Sequence, residues 1–122
     1  MMTNRELLIN AARAGEIEGK YYIAYGERDV NEGIDIGGGR LWNPLINNAD
    51  AFSLMVECQM RICDNGNQIF ADVNNRYKAS IYVGSKPVTD REKYTRGVIT
   101  KCAAIVGGLD PSVFNHWCPV RK

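Results

Sequence analysis

Along this chain, apolar residues recur three or four apart in some stretches and two apart in others, and each switch of spacing marks a change of element. "TNRE" opens a helical stretch: Thr3 as N-cap and Glu6 three residues later make a capping box, Leu7, Leu8, Ala11 and Ala12 share a face, and Gly15 is a natural stop. In "KYYIAYG" the period drops to two, with Tyr21, Ile23 and Tyr25 alternating with Tyr22 and Ala24, which predicts a strand. Residues 26 to 40 mix charges with glycines and hold no period; they predict a mobile hairpin or loop, pinned to the body by Ile34 and Ile36.

Helical spacing returns after "LWNPLINN". Pro44 pushes Asn43 toward an extended shape, Asn47 or Asn48 serves as N-cap, and Asp50 falls in the first turn beside the helix's positive end. Phe52, Met55, Val56 and Met60 then form the apolar stripe of a helix over residues 48 to 59, with Leu45 clipping onto it and Trp42 packing or half-exposed beside it. Three short runs follow, punctuated by turns at Asp64-Asn65-Gly66 and Asn74-Asn75-Arg76. Ile69, Ala71 and Val73, then Tyr77, Ala79, Ile81 and Val83, alternate with partly polar neighbours, which predicts an antiparallel meander with one face buried. Thr89 and Glu92 repeat the capping-box spacing ahead of a third helix with Tyr94, Val98, Cys102, Ile105 and Val106 on its stripe and Gly107 and Gly108 at its end. Together these elements predict an α+β fold: an antiparallel β-sheet, a meander, packed with about three helices as an α/β sandwich, in the order α-β-(loop)-α-β-β-β-α. Residues 1 to 108 are expected to form one domain, with a tail, 109 to 122, expected to dock on it through Phe114 and Trp117.

The 122 residues carry fifteen Lys and Arg against fourteen Asp and Glu, so no global positive field recruits nucleic acid. Basic residues do crowd the third helix at Arg91, Lys93, Arg96 and Lys101; a charged solvent face is the common outcome there. No apolar run approaches the ~20 residues of a membrane span, and the first residues lack a signal peptide's pattern, so the expected compartment is the cytoplasm. Cys58, Cys63, Cys102 and Cys118 fit that compartment as free thiols, since their spacing makes no pair of metal-binding knuckles. No metal and no cofactor is expected.

Catalytic chemistry finds little purchase. The one histidine, His116, stands two residues from Cys118, a conceivable nucleophilic pair on an irregular tail. Gly37, Gly38 and Gly39 open no helix and carry no following Lys-Ser or Lys-Thr, so they do not make a phosphate loop of the usual kind.

The element order, with Trp42, Asn43, Pro44, Leu45, Asp50 and Ala51 ahead of one helix and Thr95, Arg96, Ala103, Ala104, Ile105 and Gly107 in the last, resembles the phage ABA-sandwich domain family of small tailed-phage and prophage proteins, and more loosely the phage proteins named NinX. The likeness runs from about residue 3 to about residue 108; Asn47 and Asn48 stand where an acidic-glycine turn is expected, and the tail departs as well. The resemblance implies helices on a β-sheet and a phage setting, and no catalytic residue. The expected function is that of a non-enzymatic accessory protein that binds and modulates or inhibits a bacterial host protein, defence systems included, an anti-CRISPR-like inhibitor being one version. Candidate interface residues are Trp42, Asn43, Tyr22, Tyr82, Arg96 and Trp117. A small-ligand or nucleotide sponge is the alternative, with the tyrosine strand stacking a base and Arg28 or Arg40 pairing with phosphate. A Cys118–His116 enzyme is a third, and a homodimer through an edge strand is a further expectation.

Overall fold

The computed structural model describes residues 2–84 and 88–108, with backbone only at Val88; the tail, with Trp117, His116 and Cys118, lies outside the described residues. The chain runs α1 (Asn4–Ala14), β1 (Lys20–Tyr25), β2 (Val30–Asp35), β3 (Leu41–Trp42), α2 (Asn48–Glu57), β4 (Met60–Asp64), β5 (Gln68–Val73), β6 (Tyr77–Tyr82) and α3 (Val88–Gly107). This is the α+β fold expected, with three helices. Residues 26 to 40 take the hairpin alternative and supply β2, so that two antiparallel three-stranded sheets form, β1-β2-β3 and β4-β5-β6.

Local chemistry accounts for several boundaries. At α1 the capping box closes as expected: Glu6 N–H donates to Thr3 Oγ1 at 3.2 Å and Thr3 N–H to Glu6 Oε1 at 2.9 Å. Its end differs in detail, because the left-handed residue there is Glu16, at φ 57°, and not Gly15. In the first sheet, Gly37, Gly38 and Gly39 all have positive φ (95°, 64° and 74°), a run that side-chain-bearing residues resist, and they turn β2 back into β3. Charge hid this hairpin from the pattern of apolar positions: of the six residues of β2 only Gly33 and Ile34 are buried. In the second sheet, Asn74 and Asn75 take φ near 60° and Arg76 N–H closes onto the Val73 carbonyl at 3.1 Å, a tight turn that asparagine tolerates.

The core lies between α3 and the inner face of β4-β5-β6, where Ile69, Ala71 and Val73 meet Val98, Cys102 and Val106. α1 packs on the other flank of α3 with buried Leu8, Ala11, Ala12 and Ala14. α3 ends at Gly107, with Gly108 in the turn that follows, as expected, and at Gly107 the helix passes close to the backbone of α1. A Cβ at Gly107 would stand 1.7 Å from the Asn10 carbonyl oxygen. Gly97, ten residues earlier in α3, has the opposite surroundings, with nothing within 4 Å of where a Cβ would be. Thr89 lies inside α3, so it is not the cap, and Glu92 instead accepts from Asn48 Nδ2 at 3.4 Å.

The two glycines therefore respond oppositely to the same change. Gly107→Ala is expected to lower stability by about 1–3 kcal/mol through overpacking. Gly97→Ala is expected to raise it by about 0.5–1 kcal/mol, by restricting the unfolded chain in an open helix position. Urea midpoints of the two variants against the parent check both signs.

Candidate functional site

The stretch from Leu41 to Phe52 is built as a joint. Trp42 pairs with Ile34 in β3 and is 3% exposed, and Asn43 is equally buried. Asn43 Oδ1 accepts the Leu45 N–H at 2.9 Å, its Nδ2 donates to the Glu32 carbonyl at 2.8 Å, and its backbone N–H donates to Asp50 Oδ2 at 2.9 Å. Asp50, itself 3% exposed, takes a second donor at Oδ1 from Arg40 at 2.5 Å. Asn47 is the N-cap of α2, its Oδ1 accepting the Asp50 N–H at 2.9 Å. Trp42 and Asn43 are thus corrected from interface residues to interior ones: the indole is enclosed, and the asparagine's side chain bonds to the protein's own backbone.

With that joint in place, α2 buries Asp50, Ala51 and Leu54. Phe52 and Val56, expected on the inward stripe, are instead 62% and 56% exposed, and Ile46 just before the helix is 70% exposed. Met60 belongs to β4. The helix carries apolar residues on two sides, and only one side can face the core. The 3–4 spacing of Ala51, Leu54 and Cys58 was the available signal for the buried side.

Phe52 borders an open groove of about 570 Å³ between α2, β4 and α3, floored by Ala51, Met55, Ile62 and Ile99. On its rim Arg91 is a clamp: it binds the Asp64 carboxylate at 2.5 Å and donates to the carbonyls of Gly66 and Gly84, each at 3.2 Å. The Gly66 N–H, and after it Arg91, hold the Asp64 carboxyl below the usual carboxylate range. Ile46 borders a second apolar groove, about 390 Å³, with Leu7, Leu45, Ile81, Tyr94 and Val98. Arg96 ties α3 to the segment between the two grooves, donating to the Leu45 carbonyl at 3.0 Å and to Asn48 Oδ1 at 2.8 Å. It acts as a tether, and the basic helix face divides: Arg91 and Arg96 are engaged in the protein, while Lys93 and Lys101 edge the second groove.

Tyr22 and Tyr82 are exposed, 46% and 76%, but lie on different sheets. The tyrosines of β1 do not form one stacking surface. Tyr21 donates to Glu32 Oε2 at 2.5 Å, lies 5.4 Å beneath the Arg5 guanidinium, and is pushed up to about 12, chiefly by the Glu32 bond. Tyr22 sits opposite Gly33 and lines a shallow hollow with Asn31, Asp35, Gly39 and Leu41. That hollow joins an aromatic ring to the glycine turn, as a nucleotide site would need, yet the charged group in its lining is a carboxylate and Arg40 is occupied by Asp50.

Cysteine chemistry is also constrained. Cys58 and Cys102 are fully buried and Cys63 is exposed, so the spacing of Cys58 and Cys63 does not bring two accessible thiolates together. Burial, with the nearby Asp72 adding to it, pushes the Cys102 thiol up to about 12, and its Sγ lies 3.3 Å from the Tyr77 carbonyl oxygen. Among the described residues no three His, Cys, Asp or Glu side chains are grouped to hold a metal. No helix of the described residues is long and apolar enough to cross a membrane.

Two measurements test this account. Asp50→Ala strands the buried Asn43 N–H and is expected to cost about 1–3 kcal/mol, read as a lower urea midpoint. A thiol reagent at neutral pH is expected to label Cys63 quickly and to reach Cys58 and Cys102 only after unfolding. Fast labelling of Cys102 in the folded chain contradicts its burial. No family model, curated protein or solved structure matches the chain.

Proposed function

We propose that this chain is a non-enzymatic accessory protein of a tailed bacteriophage or prophage, acting in the bacterial cytoplasm by binding a host protein and modulating or inhibiting it. The observation that carries the binding role is the exposure of Ile46, Phe52 and Val56, three large apolar side chains within eleven positions, each more than half exposed, with Ile46 and Phe52 each bordering an apolar groove. Apolar area left in water forgoes ~25 cal/mol per Å² of burial, and large contiguous apolar patches on a small protein mark contact surfaces. A Phe beside a groove, ringed by polar groups already satisfied within the protein, has the makings of a central anchor with a polar rim. The phage setting is supported by the Trp42-Asn43-Pro44 motif and the Thr95-Arg96 helix, whose resemblance to the phage family supplies the kind of partner.

The test compares the tagged chain with Phe52→Asp in pull-downs from bacterial lysate. Phe52 is mostly exposed, so the variant is expected to fold with stability within about 0.5 kcal/mol of the parent. The parent is expected to retain a stoichiometric, salt-stable bacterial protein that the variant loses. A partner held equally by both places the contact elsewhere. An eluate holding the chain alone, with absorbance near the nucleotide band, transfers the function to ligand binding. A species of twice the chain mass that Phe52→Asp splits assigns the surface to self-association.

A further inference from the structure

The turn between β4 and β5 contains Asn65-Gly66, the one asparagine–glycine step in the chain. Its hydrogen bonds are arranged around the asparagine side chain and the next backbone nitrogen. Asn65 Oδ1 accepts two backbone N–H groups, from Asn67 at 3.0 Å and Gln68 at 2.8 Å. The Gly66 N–H is aimed at Asp64 Oδ1, 2.9 Å away. Gly66 has φ 96°, and nothing lies within 4 Å of where a side chain would start. Asn65 and Gly66 are both exposed, so water reaches the step.

Attack by a backbone nitrogen on the preceding asparagine's amide carbon is favoured by three features, and the turn has each. The following residue must not crowd the carbon, and glycine has no side chain. Negative charge develops on Oδ1, where two N–H dipoles already point, the arrangement that stabilises an oxyanion. The attacking nitrogen must lose a proton, and a carboxylate is hydrogen-bonded to it. Other asparagines lack the combination: Asn43 precedes Pro44, which has no N–H, and Asn74 and Asn75 precede residues with side chains.

We propose that Asn65 is a self-modification site, at which the folded chain converts its own asparagine to aspartate and isoaspartate. The Gly66 nitrogen bonds to Asn65 Cγ as its proton passes to the Asp64 carboxylate. The tetrahedral adduct collapses, the Cγ–Nδ2 bond breaks, and Nδ2 leaves with that proton as ammonia. Water then adds to either carbonyl of the five-membered imide and reopens it, at one side to aspartate and at the other to isoaspartate. The balance is asparagine plus water giving the acid plus ammonia, with no change of oxidation state. Isoaspartate lengthens the backbone by one methylene between positions 65 and 66. That displaces the Gly66 carbonyl from Arg91 and loosens the clamp on the rim of the Phe52 groove.

The experiment incubates the purified full chain at mildly alkaline pH, follows every asparagine-containing peptide by mass spectrometry, and counts isoaspartate by enzymatic methylation. Amide-to-acid exchange is expected at Asn65 well ahead of every other asparagine, and several-fold slower in Asp64→Ala once circular dichroism has shown that variant folded. A second variant, Asn65→Ser, is expected to abolish the isoaspartate signal. Asn65 remaining an amide in the folded chain, or exchange spread evenly over the asparagines, overturns the proposal. An unchanged rate in folded Asp64→Ala overturns the role of the carboxylate and with it the mechanism given.

Discussion

A carboxylate beneath the turn into α2 decides which side of that helix meets water. Asp50 is almost wholly enclosed, yet it satisfies the Asn43 N–H from the end of β3 and the Arg40 guanidinium from the glycine turn before it. A buried carboxylate needs such donors in fixed places, so the rotation of α2 about its axis is tied to the first sheet. Leu54 and Ala51 then point inward, and Phe52 and Val56 have no interior left to enter. The exposed apolar face is in this sense a by-product of a polar constraint, one that outweighed the burial of a phenylalanine.

The elements that could be read from the sequence are those in which local chemistry and packing agree. Thr3 and Glu6 cap α1 through bonds made within four residues, and the meander alternates because one face of β5 is sealed by α3. The failures have physical causes too. The strand β2 has two buried positions in six, too few for alternation to register among its charges. The phase of α2 is hidden from the pattern because a ten-residue helix with apolar residues on two sides has two self-consistent orientations, and hydrogen bonds to Asp50 from outside the helix select between them. Thr89 fits a capping box by spacing alone, while the helix had already begun one residue earlier.

The same distinction separates the candidate functional residues. Tyr22 and Tyr82 are exposed as a partner surface requires, but they lie on separate sheets. Trp42, Asn43 and Arg96 were singled out by residue type, and each serves the protein's own connections. Arg91 and Arg96 on α3 likewise turn onto oxygens of the protein itself, which breaks up the basic stripe that spacing along one helix implied. What exposes apolar area is a helix face that ordinary patterning assigns to the core. Surface function is poorly legible wherever it uses the residue types that also build interiors.

The hairpin joining β1 to β2 has a practical consequence. Its turn, from Gly26 to Asp29, is closed by a bond from the Gly26 N–H to the Asp29 carbonyl, is exposed throughout, and lines neither apolar groove. Foreign sequence is tolerated best where the backbone makes few obligations to its surroundings. A fluorophore or affinity epitope grafted into that turn would report on the folded domain while leaving both ends of the chain as they are and both grooves open.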